Sequence, residues 1–334
     1  MRATIKDVAK LAGVSTATVS NILTGKKYVG PEVTLRVRQA METLNYQRNA
    51  IARSLKVNRS YNIGLMVPDI SNPFFGEIVK FAQQVVNHEG YQITLCDFDN
   101  DSKREQKILQ TFLSAGVDGI INVAPRMKQS QLGRGLGVPM VVVDRPHFKT
   151  DANIAFVYAD NYKGAAAVAD HFIRKEHRRF ACFTGPIDEV PNARMRMDGF
   201  LDELKKRGVT ESAWRVYPCD FTFESGYQTM ETMLKDYDPS QPWSVFVSSD
   251  IMAWGAMEAV KSHKMKMPRD IAIVGYDNIY FSEFLYPKLT TVWNPTKDMA
   301  STAARMLLDA IDEQEGLGGR YLVVNSMFIE RQSG

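Results

Sequence analysis

The sequence predicts an N-terminal all-α helix-turn-helix domain followed by an α/β region of two doubly wound parallel-sheet lobes. In the first 57 residues, two short helix-forming segments are separated by the small turn Gly13-Val14. From residue 61, short runs rich in Val, Ile, Leu and Phe alternate with amphipathic segments, as is typical of parallel strands covered by helices on both faces. This alternation restarts near residue 161, and 334 residues are too many for one ordinary core. We therefore expect a helical domain over residues 1–47, a linker over 48–60 and two lobes within 61–334.

Start signals place three short helices in the first domain. Thr4 and Asp7 form a capping pattern, in which a hydroxyl and an acid three residues later stabilise a helix that begins at about residue 5. Ser15 is a second N-cap, and Gly30-Pro31 puts a proline at the first position of a third helix. Apolar residues recur at helical spacing in the second and third segments, so the three helices are predicted to share one small core.

Basic charge is concentrated in the same N-terminal segment. Residues 1–60 contain eleven Lys or Arg and three Asp or Glu, a local net charge of +8. Because the whole chain carries +3, residues 61–334 carry −5. Counterion release attracts a polyanion to such a segment, and a helix-turn-helix offers the first turn of its second helix to a DNA groove. These features predict DNA binding; the alternative is a solvated basic face without a partner.

The linker contains a helical segment that is too short to be stable alone. Residues 49–56 have helical propensity but span only about two turns, and isolated helices shorter than roughly 12 residues are marginal in water. We expect this segment to form a helix only when a partner chain or DNA packs against it.

Periodicity divides the α/β region into elements. Strands are predicted over residues 63–68, 92–98, 119–124, 139–144, 180–185, 244–248 and 271–275, and helices over 74–89, 102–115, 163–174, 192–207, 224–234 and 253–262. Strand-like runs at 289–294 and 321–330 indicate that the chain crosses between lobes more than once. The first lobe is assigned to about 61–160 and 292–320, and the second to about 161–291 and 321–331.

Cysteine usage and the absence of targeting patterns indicate a cytoplasmic protein without a metal or cofactor. Cys96, Cys182 and Cys219 are odd in number and widely spaced, which favours neither a disulfide framework nor a metal site. The chain does not begin with a basic stub followed by an apolar run, and it has no apolar stretch of 18 residues.

The residues resemble the lactose-repressor (LacI) family of bacterial transcription regulators over essentially the whole chain. The similar N-terminal segments are Thr4-Ile5-Lys6-Asp7-Val8-Ala9, Ala12-Gly13-Val14-Ser15, Thr18-Val19-Ser20, Asn45-Tyr46 and Asn49-Ala50-Ile51-Ala52-Arg53-Ser54-Leu55. The similar segments of the α/β region are Pro68-Asp69-Ile70-Ser71-Asn72-Pro73-Phe74-Phe75, Val143-Asp144-Arg145, Asp160-Asn161, Arg196, Gly199-Phe200, Ser249-Asp250 and Gly275-Tyr276-Asp277-Asn278. Each motif alone is weak, but their order and spacing together are highly specific.

The resemblance implies that two chains bind a palindromic operator. Each chain would place Thr16, Ala17 and Asn21 in the major groove, where the Asn21 carboxamide can read adenine or contact phosphate. Further DNA-binding residues implied by the resemblance are Thr4, Ser15, Ser20 and Lys27 beside the groove, and Asn49, Ala52, Leu55 and Lys56 on paired hinge helices. Leu55 would wedge into a base step of the minor groove, unless it packs at the lobe surface instead.

The two lobes resemble periplasmic sugar-binding proteins of type I, which implies an effector site between the lobes at the carboxyl ends of parallel strands. Phe74 and Phe75 would offer an aromatic face, or one of them would lie in the core. Arg196 and Asp277 are the strongest polar pair, because a guanidinium fork and a carboxylate both bind hydroxyls. Further candidates are Asp144, Arg145 and Asp250, each of which is otherwise an interlobe ion pair, together with Asn161 and Phe221.

Several functions are weighed against this one. Residues 188–192 depart from the pattern of the purine-binding members, so a neutral sugar is preferred to a purine corepressor. A regulator activated by a phosphoprotein remains an alternative within the family. An enzyme is disfavoured because the sequence has no phosphate loop or nucleophile elbow, and a secreted solute-binding protein because of the basic N-terminal segment and the missing signal. Since the chain ends soon after Arg331, we expect a homodimer rather than a tetramer held by a C-terminal helix.

Overall fold

The computed structural model describes residues 3–24, 27–46, 59–132, 136–150, 152–313 and 316–334. The chain divides into two compact units, Met1–Ser60 and Tyr61–Gly334. The predicted hinge residues Asn49, Ala52, Leu55 and Lys56 lie outside the described residues.

The described residues of the N-terminal unit contain three helices: α1 Ile5–Ala12, α2 Thr16–Thr24 and α3 Pro31–Thr43. Their apolar faces meet in one small core, whose fully enclosed members are Val8, Ala9, Ala12, Val19, Val37 and Ala40. The predicted core and helix starts are thus present in this unit.

The turn between α1 and α2 depends on a glycine. Gly13 has φ +66°, a left-handed conformation that side chains disfavour, and the Val14 N–H donates to the Ala9 carbonyl at 3.0 Å. Ser15 then caps α2, because its Oγ accepts from the Thr18 N–H at 3.0 Å. At the start of α1, the predicted capping box of Thr4 and Asp7 is present, and the Asp7 carboxylate accepts from both the Thr4 N–H (2.8 Å) and the Thr4 hydroxyl (2.7 Å).

The second unit contains the remaining elements in chain order: β1 Asn62–Val67, α4 Pro73–His88, β2 Gln92–Asp97, α5 Ser102–Ala115, β3 Gly119–Val123, β4 Met140–Val143, β5 Ile154–Ala159, α6 Asn161–Arg174, β6 Arg179–Thr184, α7 Pro191–Lys206, β7 Trp214–Pro218, α8 Phe223–Leu234, β8 Trp243–Val247, α9 Asp250–Ser262, β9 Ile271–Val274, β10 Thr291–Trp293, α10 Thr296–Glu313, β11 Tyr321–Val324 and β12 Met327–Ile329. Short 3-10 turns occur at Glu211–Ala213 and Tyr280–Glu283. Every helix and strand predicted for this region is found, whereas β5, β7 and α10 were not predicted.

Two parallel sheets form the two lobes. The first has the strand order β11-β5-β4-β3-β1-β2 and the second β7-β6-β8-β9. Alternate residues of one strand enter different cores: in β1, Leu65 packs in one cluster and Met66 in another, and in β8, Val245 and Phe246 are separated in the same way. Both sheets are therefore covered on both faces, and the predicted fold class is confirmed.

The last strands correct the predicted lobe boundary. Residues 321–331 were assigned to the second lobe, but β11 pairs in parallel with β5 at the edge of the first sheet. β12 instead pairs with β10 in a separate antiparallel ribbon. Continuous apolar runs look alike in either lobe, so the sequence pattern did not reveal which sheet each run joins.

Among the described residues, no helix is both long enough and apolar enough to cross a membrane.

Candidate nucleic-acid interface and ligand cleft

The first turn of α2 presents its predicted DNA-binding residues at the surface of the N-terminal unit. Ser15, Thr16 and Ala17 are exposed, while Ser20 and Asn21, one turn later, are partly buried. The Ser15 hydroxyl already caps the helix, whereas Thr16 and Ala17 expose their side chains on the same turn. α2 carries no charged side chain, and the positive end of its dipole suits a phosphate. Thr4 and Lys27 are also exposed.

A cleft of about 700 Å³, part of it open to solvent, lies at the carboxyl ends of the strands of both sheets. At the carboxyl ends of parallel strands the chain continues into loops, and α/β proteins commonly bind ligands at this edge of the sheet. The residues that line it are Asp69, Asn72, Phe74, Phe75, Asn100, Ala124, Pro125, Arg126, Asp144, Arg145, Val190, Pro191, Asn192, Arg196, Phe221, Ser249 and Asp277. Seven of the nine predicted effector residues are among them.

Arg196, on α7, is the most constrained cation of the cleft. Its Nε donates to Asn161 Oδ1 at 2.7 Å, its Nη1 to the Ser248 carbonyl at 2.6 Å, and its Nη2 lies 3.3 Å from Asp277 Oδ1. The guanidinium also stacks 3.8 Å from the centre of the Tyr276 ring. Because each of its three nitrogens has a protein partner, the side chain is rigidly aimed into the cleft.

The carboxylates of Asp277 and Asp144 lie near this guanidinium. Burial raises the pKa of Asp277 to about 6, although Arg196 lowers it. Burial also raises the pKa of Asp144 to about 7, with Arg196 opposing the shift and the charge of Asp277 adding to it. Both residues have positive φ, +116° for Asp277 and +56° for Asp144, which is the kind of strained backbone found at binding sites.

Hydrogen bonds from Asn192 to Asp144 join the two walls of the cleft. The Asn192 Nδ2, from α7, donates to both the carbonyl and the carboxylate Oδ1 of Asp144 at 2.9 Å. Within the described residues, the buried Oδ1 atoms of Asn192 and of Asn294 accept no hydrogen bond, and Asn294 donates to Asp277 at 3.2 Å. Asn192 lines the cleft and Asn294 does not, so the Asn192 acceptor favours a ligand that donates a hydrogen bond.

Aromatic side chains form the apolar part of the cleft. Phe74 and Phe75 meet edge to face with their centres 5.2 Å apart, at the start of α4, where Asn72 caps the helix. Phe74 belongs to the core of the first lobe, whereas Phe75 is only partly buried. Phe221 approaches from the second lobe.

Two predicted effector residues do not line the cleft. Asn161 lies behind Arg196 and accepts from it, so it positions the cation. Asp250 is fully buried and accepts from Ile279, Ser282 and Thr291. A motif beside a strand end identified these residues, but only packing determined the direction of their side chains. Arg145 does line the cleft, although its Nη1 donates to the Pro125 and Met127 carbonyls.

Several lining residues were not predicted. Asp69 and Asn72 belong to a motif that the chain shares with the LacI family, so the sequence could have identified them. Asn192 lies in the segment that departs from the pattern of purine-binding members, and that departure could have marked it as a ligand-facing residue. Arg126 follows β3 without any local signal, and its Nη2 donates to Asn100 Oδ1 at 2.6 Å.

Comparisons with known proteins agree with this geometry. The family model for bacterial regulatory proteins of the lacI family matches residues 4–49, and the model for a periplasmic binding protein-like domain matches residues 169–334. The ribose operon repressor of Escherichia coli K12 is 33% identical over 334 residues, which cover 99% of both chains. The transcriptional repressor PurR of Pectobacterium atrosepticum is 34% identical over 335 residues, covering 99% of this chain and 96% of its own.

Solved structures show the same fold. The lac repressor dimer bound to operator and the anti-inducer ONPF aligns with a TM-score of 0.87 and 24% identity, covering 100% of this chain and 99% of that one. A LacI-family regulator from Enterococcus faecium with bound ribose aligns with a TM-score of 0.72 and 26% identity, covering 81% and 98%. Since its helix-turn-helix matches the family model and its similarity to repressors extends over nearly its whole length, the chain belongs to the LacI family of bacterial regulatory proteins and is a DNA-binding transcription regulator.

Proposed function

We propose that this chain is a cytoplasmic repressor that binds a palindromic operator as a homodimer and responds to a neutral sugar of about ribose size in the cleft. The relatives named for the ribose operon, and the ribose found in the Enterococcus faecium regulator, support a sugar of this size. The cleft combines apolar and aromatic side chains with a few convergent polar groups, as is usual for sites that bind small molecules.

The arrangement of Arg196, Asp277 and Asn192 is the observation that carries the sugar assignment. A sugar hydroxyl both donates and accepts, so it can satisfy the unpartnered Asn192 Oδ1 while it accepts from the fixed guanidinium of Arg196. Phe75 and Phe221 offer apolar surface to the carbon face of a ring.

The charge of the cleft favours a neutral ligand over a sugar phosphate. Three carboxylates (Asp69, Asp144, Asp277) face three guanidiniums (Arg126, Arg145, Arg196). Each guanidinium already donates to protein oxygen atoms. Their positive charge is therefore already balanced by protein groups, and the nearby carboxylates would repel a phosphate but not a neutral hydroxyl.

Operator recognition is assigned to α2. Thr16 and Ala17 are exposed on its first turn, and Asn21 follows one turn later. The methyl group of Ala17 can contact a thymine methyl, while the Asn21 carboxamide can pair with adenine. Two such helices in a dimer would read two half-sites of a palindrome.

An exposed aromatic surface in the second lobe is the candidate subunit interface. We call Tyr280, Phe281, Phe284 and Tyr286 the aromatic face; their exposed fractions are 63%, 41%, 64% and 83%. Tyr280 packs against both Phe281 and Phe284, with ring centres 5.6 and 5.0 Å apart. Such a cluster is costly to leave in water, and aromatic residues are enriched in protein interfaces. A second copy of this chain is the occupant that a palindromic operator requires.

Thermal unfolding against a panel of sugars, sugar phosphates, nucleosides and purines tests the effector assignment. A ligand at 100 times its Kd should stabilise the protein by about 2.7 kcal/mol. We expect D-ribose or a similar pentose to stabilise it, and operator affinity to change when that sugar is added. Stabilisation by purines alone would replace the sugar with a purine corepressor, in line with the PurR relative. A response to no small molecule would favour a protein corepressor.

Sedimentation of Tyr286→Ser tests the interface. We expect wild type to sediment as a dimer and this variant to dissociate more readily. Tyr321→Ser is the matched control, because Tyr321 is also exposed (54%) but lies on the edge strand of the first sheet. Equal dissociation of both variants, or none in either, would place the interface elsewhere.

A further inference from the structure

Asp250 holds one segment of the second lobe by three side-chain hydrogen bonds. Its carboxylate has no exposed surface; Oδ2 accepts from the Ile279 N–H (3.0 Å) and the Ser282 hydroxyl (2.5 Å), and Oδ1 accepts from the Thr291 hydroxyl (2.6 Å). Its own N–H donates to the Tyr276 carbonyl at 2.7 Å. A buried carboxylate persists where donors compensate the lost hydration, so these contacts are mutually dependent.

The space for this carboxylate is created by Gly275. A Cβ at position 275 would lie 2.2 Å from Asp250 Oδ1, which is far inside van der Waals contact. The carboxylate is therefore pressed against the backbone immediately before Tyr276 and Asp277. Asp250 is thus packed directly on the strand that leads into the cleft.

The segment held by Asp250 connects the cleft to the aromatic face. It leaves the cleft at Asp277, which is ion-paired with Arg196, and continues through Asn278, which also has positive φ (+54°). It then carries the whole aromatic face before it returns to β10 at Thr291. Of the three donors to Asp250, Ile279 precedes this face, Ser282 lies within it and Thr291 follows it. A displacement of Asp277 must therefore either break bonds to Asp250 or move the face with it.

We propose that Asp250 is a positioning residue that couples occupancy of the cleft to the affinity between subunits. This inference rests on the proposed function, in which the aromatic face is the interface and the cleft binds the effector. Ligand contact with Asp277 shifts the segment, Asp250 keeps the segment rigid, and the aromatic face changes its fit to the partner. Coupling of this kind requires that the ligand bind the two arrangements with different affinity.

Thr291→Val tests the proposal, because it removes the hydroxyl that donates to Asp250 Oδ1 and keeps the shape of the side chain. Thr290→Val is the matched control: Thr290 is equally buried, but its hydroxyl accepts from the Arg331 and Gly334 N–H groups and does not touch Asp250. Thr291→Ser restores the hydroxyl. The dimer dissociation constant is measured by sedimentation, with and without saturating D-ribose, and the D-ribose Kd by calorimetry.

In wild type, D-ribose should change the dimer dissociation constant by at least about fivefold, the lower end of ordinary allosteric coupling. In Thr291→Val, the dissociation constant without sugar should rise, and the response to D-ribose should fall to within about twofold, although D-ribose still binds. Thr290→Val and Thr291→Ser should behave like wild type. This result would support the coupling, since a general loss of stability would affect both valine variants.

Other outcomes overturn separate parts of the proposal. If Thr290→Val and Thr291→Val respond alike, or if D-ribose binds wild type without changing its dimer dissociation constant, the coupling through Asp250 is wrong. If D-ribose binds no variant but Thr291→Val still weakens the dimer, the effector assignment fails while Asp250 still positions the interface. If wild type is monomeric at every concentration, the interface and the coupling both fail.

Discussion

The DNA-binding surface and the ligand cleft differ in how their polar groups are supported. On α2, the exposed residues Thr16 and Ala17 stand on a helix whose start is determined by its own neighbours, Gly13 and Ser15. In the cleft, Arg196 is held by groups from three other segments, at Asn161, Ser248 and Asp277. Local interactions therefore build the first surface, and long-range packing builds the second. A substitution should therefore lower the free energy of unfolding little on the DNA-binding surface and much in the ligand cleft.

Arg196→Met should produce the largest loss. Removing the guanidinium leaves Asp277 as an uncompensated buried charge and leaves Asn161 and the Ser248 carbonyl without their donor. Breaking a buried pair in this way costs about 3–5 kcal/mol. We expect this loss in urea unfolding followed by tryptophan fluorescence, which reports only the second unit because all four tryptophans follow residue 213.

Arg194→Met is the control for that change. Arg194 lies on the same helix but pairs with the exposed Asp188, and the side chains of the two are 47% and 90% exposed. Its loss should stay within about 1 kcal/mol. Similar losses for both variants would contradict the view that the cleft is held by buried contacts.

The cleft should also make stability depend on pH. The folded-state pKa of Asp144 is about 7 and that of Asp277 about 6, both above the ordinary value of 3.8, so the folded protein keeps these protons to higher pH than the unfolded chain. Burial likewise raises the pKa of Asp250 to about 7. The free energy of unfolding should therefore fall by several kcal/mol as pH rises from about 4 to about 7. Asp144→Asn should make this dependence shallower in urea titrations at several pH values, while Asp277 and Asp250 maintain the remaining slope. Asp188→Asn should leave it unchanged, and a slope as steep in Asp144→Asn as in wild type would contradict a contribution from Asp144.

Asn21→Ala should affect DNA recognition and leave the cleft intact. Loss of a bidentate base contact costs about 1–3 kcal/mol, so affinity for an operator selected from random DNA should drop by roughly 5- to 150-fold. Gel-shift titration measures this drop, and D-ribose binding serves as the internal check. Gln39→Ala, at an exposed position of α3, should change neither operator affinity nor D-ribose binding. An equal loss of operator affinity in Asn21→Ala and Gln39→Ala would contradict base recognition by α2.

Gly13→Ala should have the smallest effect. Forcing an alanine into left-handed backbone costs about 1 kcal/mol, and the loss should be confined to the N-terminal unit. Far-UV circular dichroism should show earlier melting of helix, while tryptophan fluorescence of the second unit stays unchanged. Gly76→Ala, in α4 with no atom within 4 Å of the added Cβ, should instead be neutral or stabilising. If fluorescence also shifted in Gly13→Ala, the two units would not unfold independently.

Much of this arrangement was predictable because its signals are local. Caps and turn residues located the three N-terminal helices, and alternating apolar runs located most strands of both sheets. The motifs shared with the family identified Arg196, on α7, and Asp277, after β9. The amphipathic pattern of α10 was present in the sequence but was not recognised. The hinge residues and Leu55 remain predictions.

The sequence by itself determined the helix-turn-helix, the α/β class and the family, because these depend on short-range propensity, periodicity and the order of motifs. Only the tertiary structure decided which sheet β11 joins, that Asn161 and Asp250 lie behind the cleft, and that Arg126 and Asn192 line it. The physical reason is that the direction of a side chain at a strand end depends on the segments packed around it. For Asp250 those segments include Thr291, which is distant along the chain yet supplies one of the donors that keep the carboxylate buried.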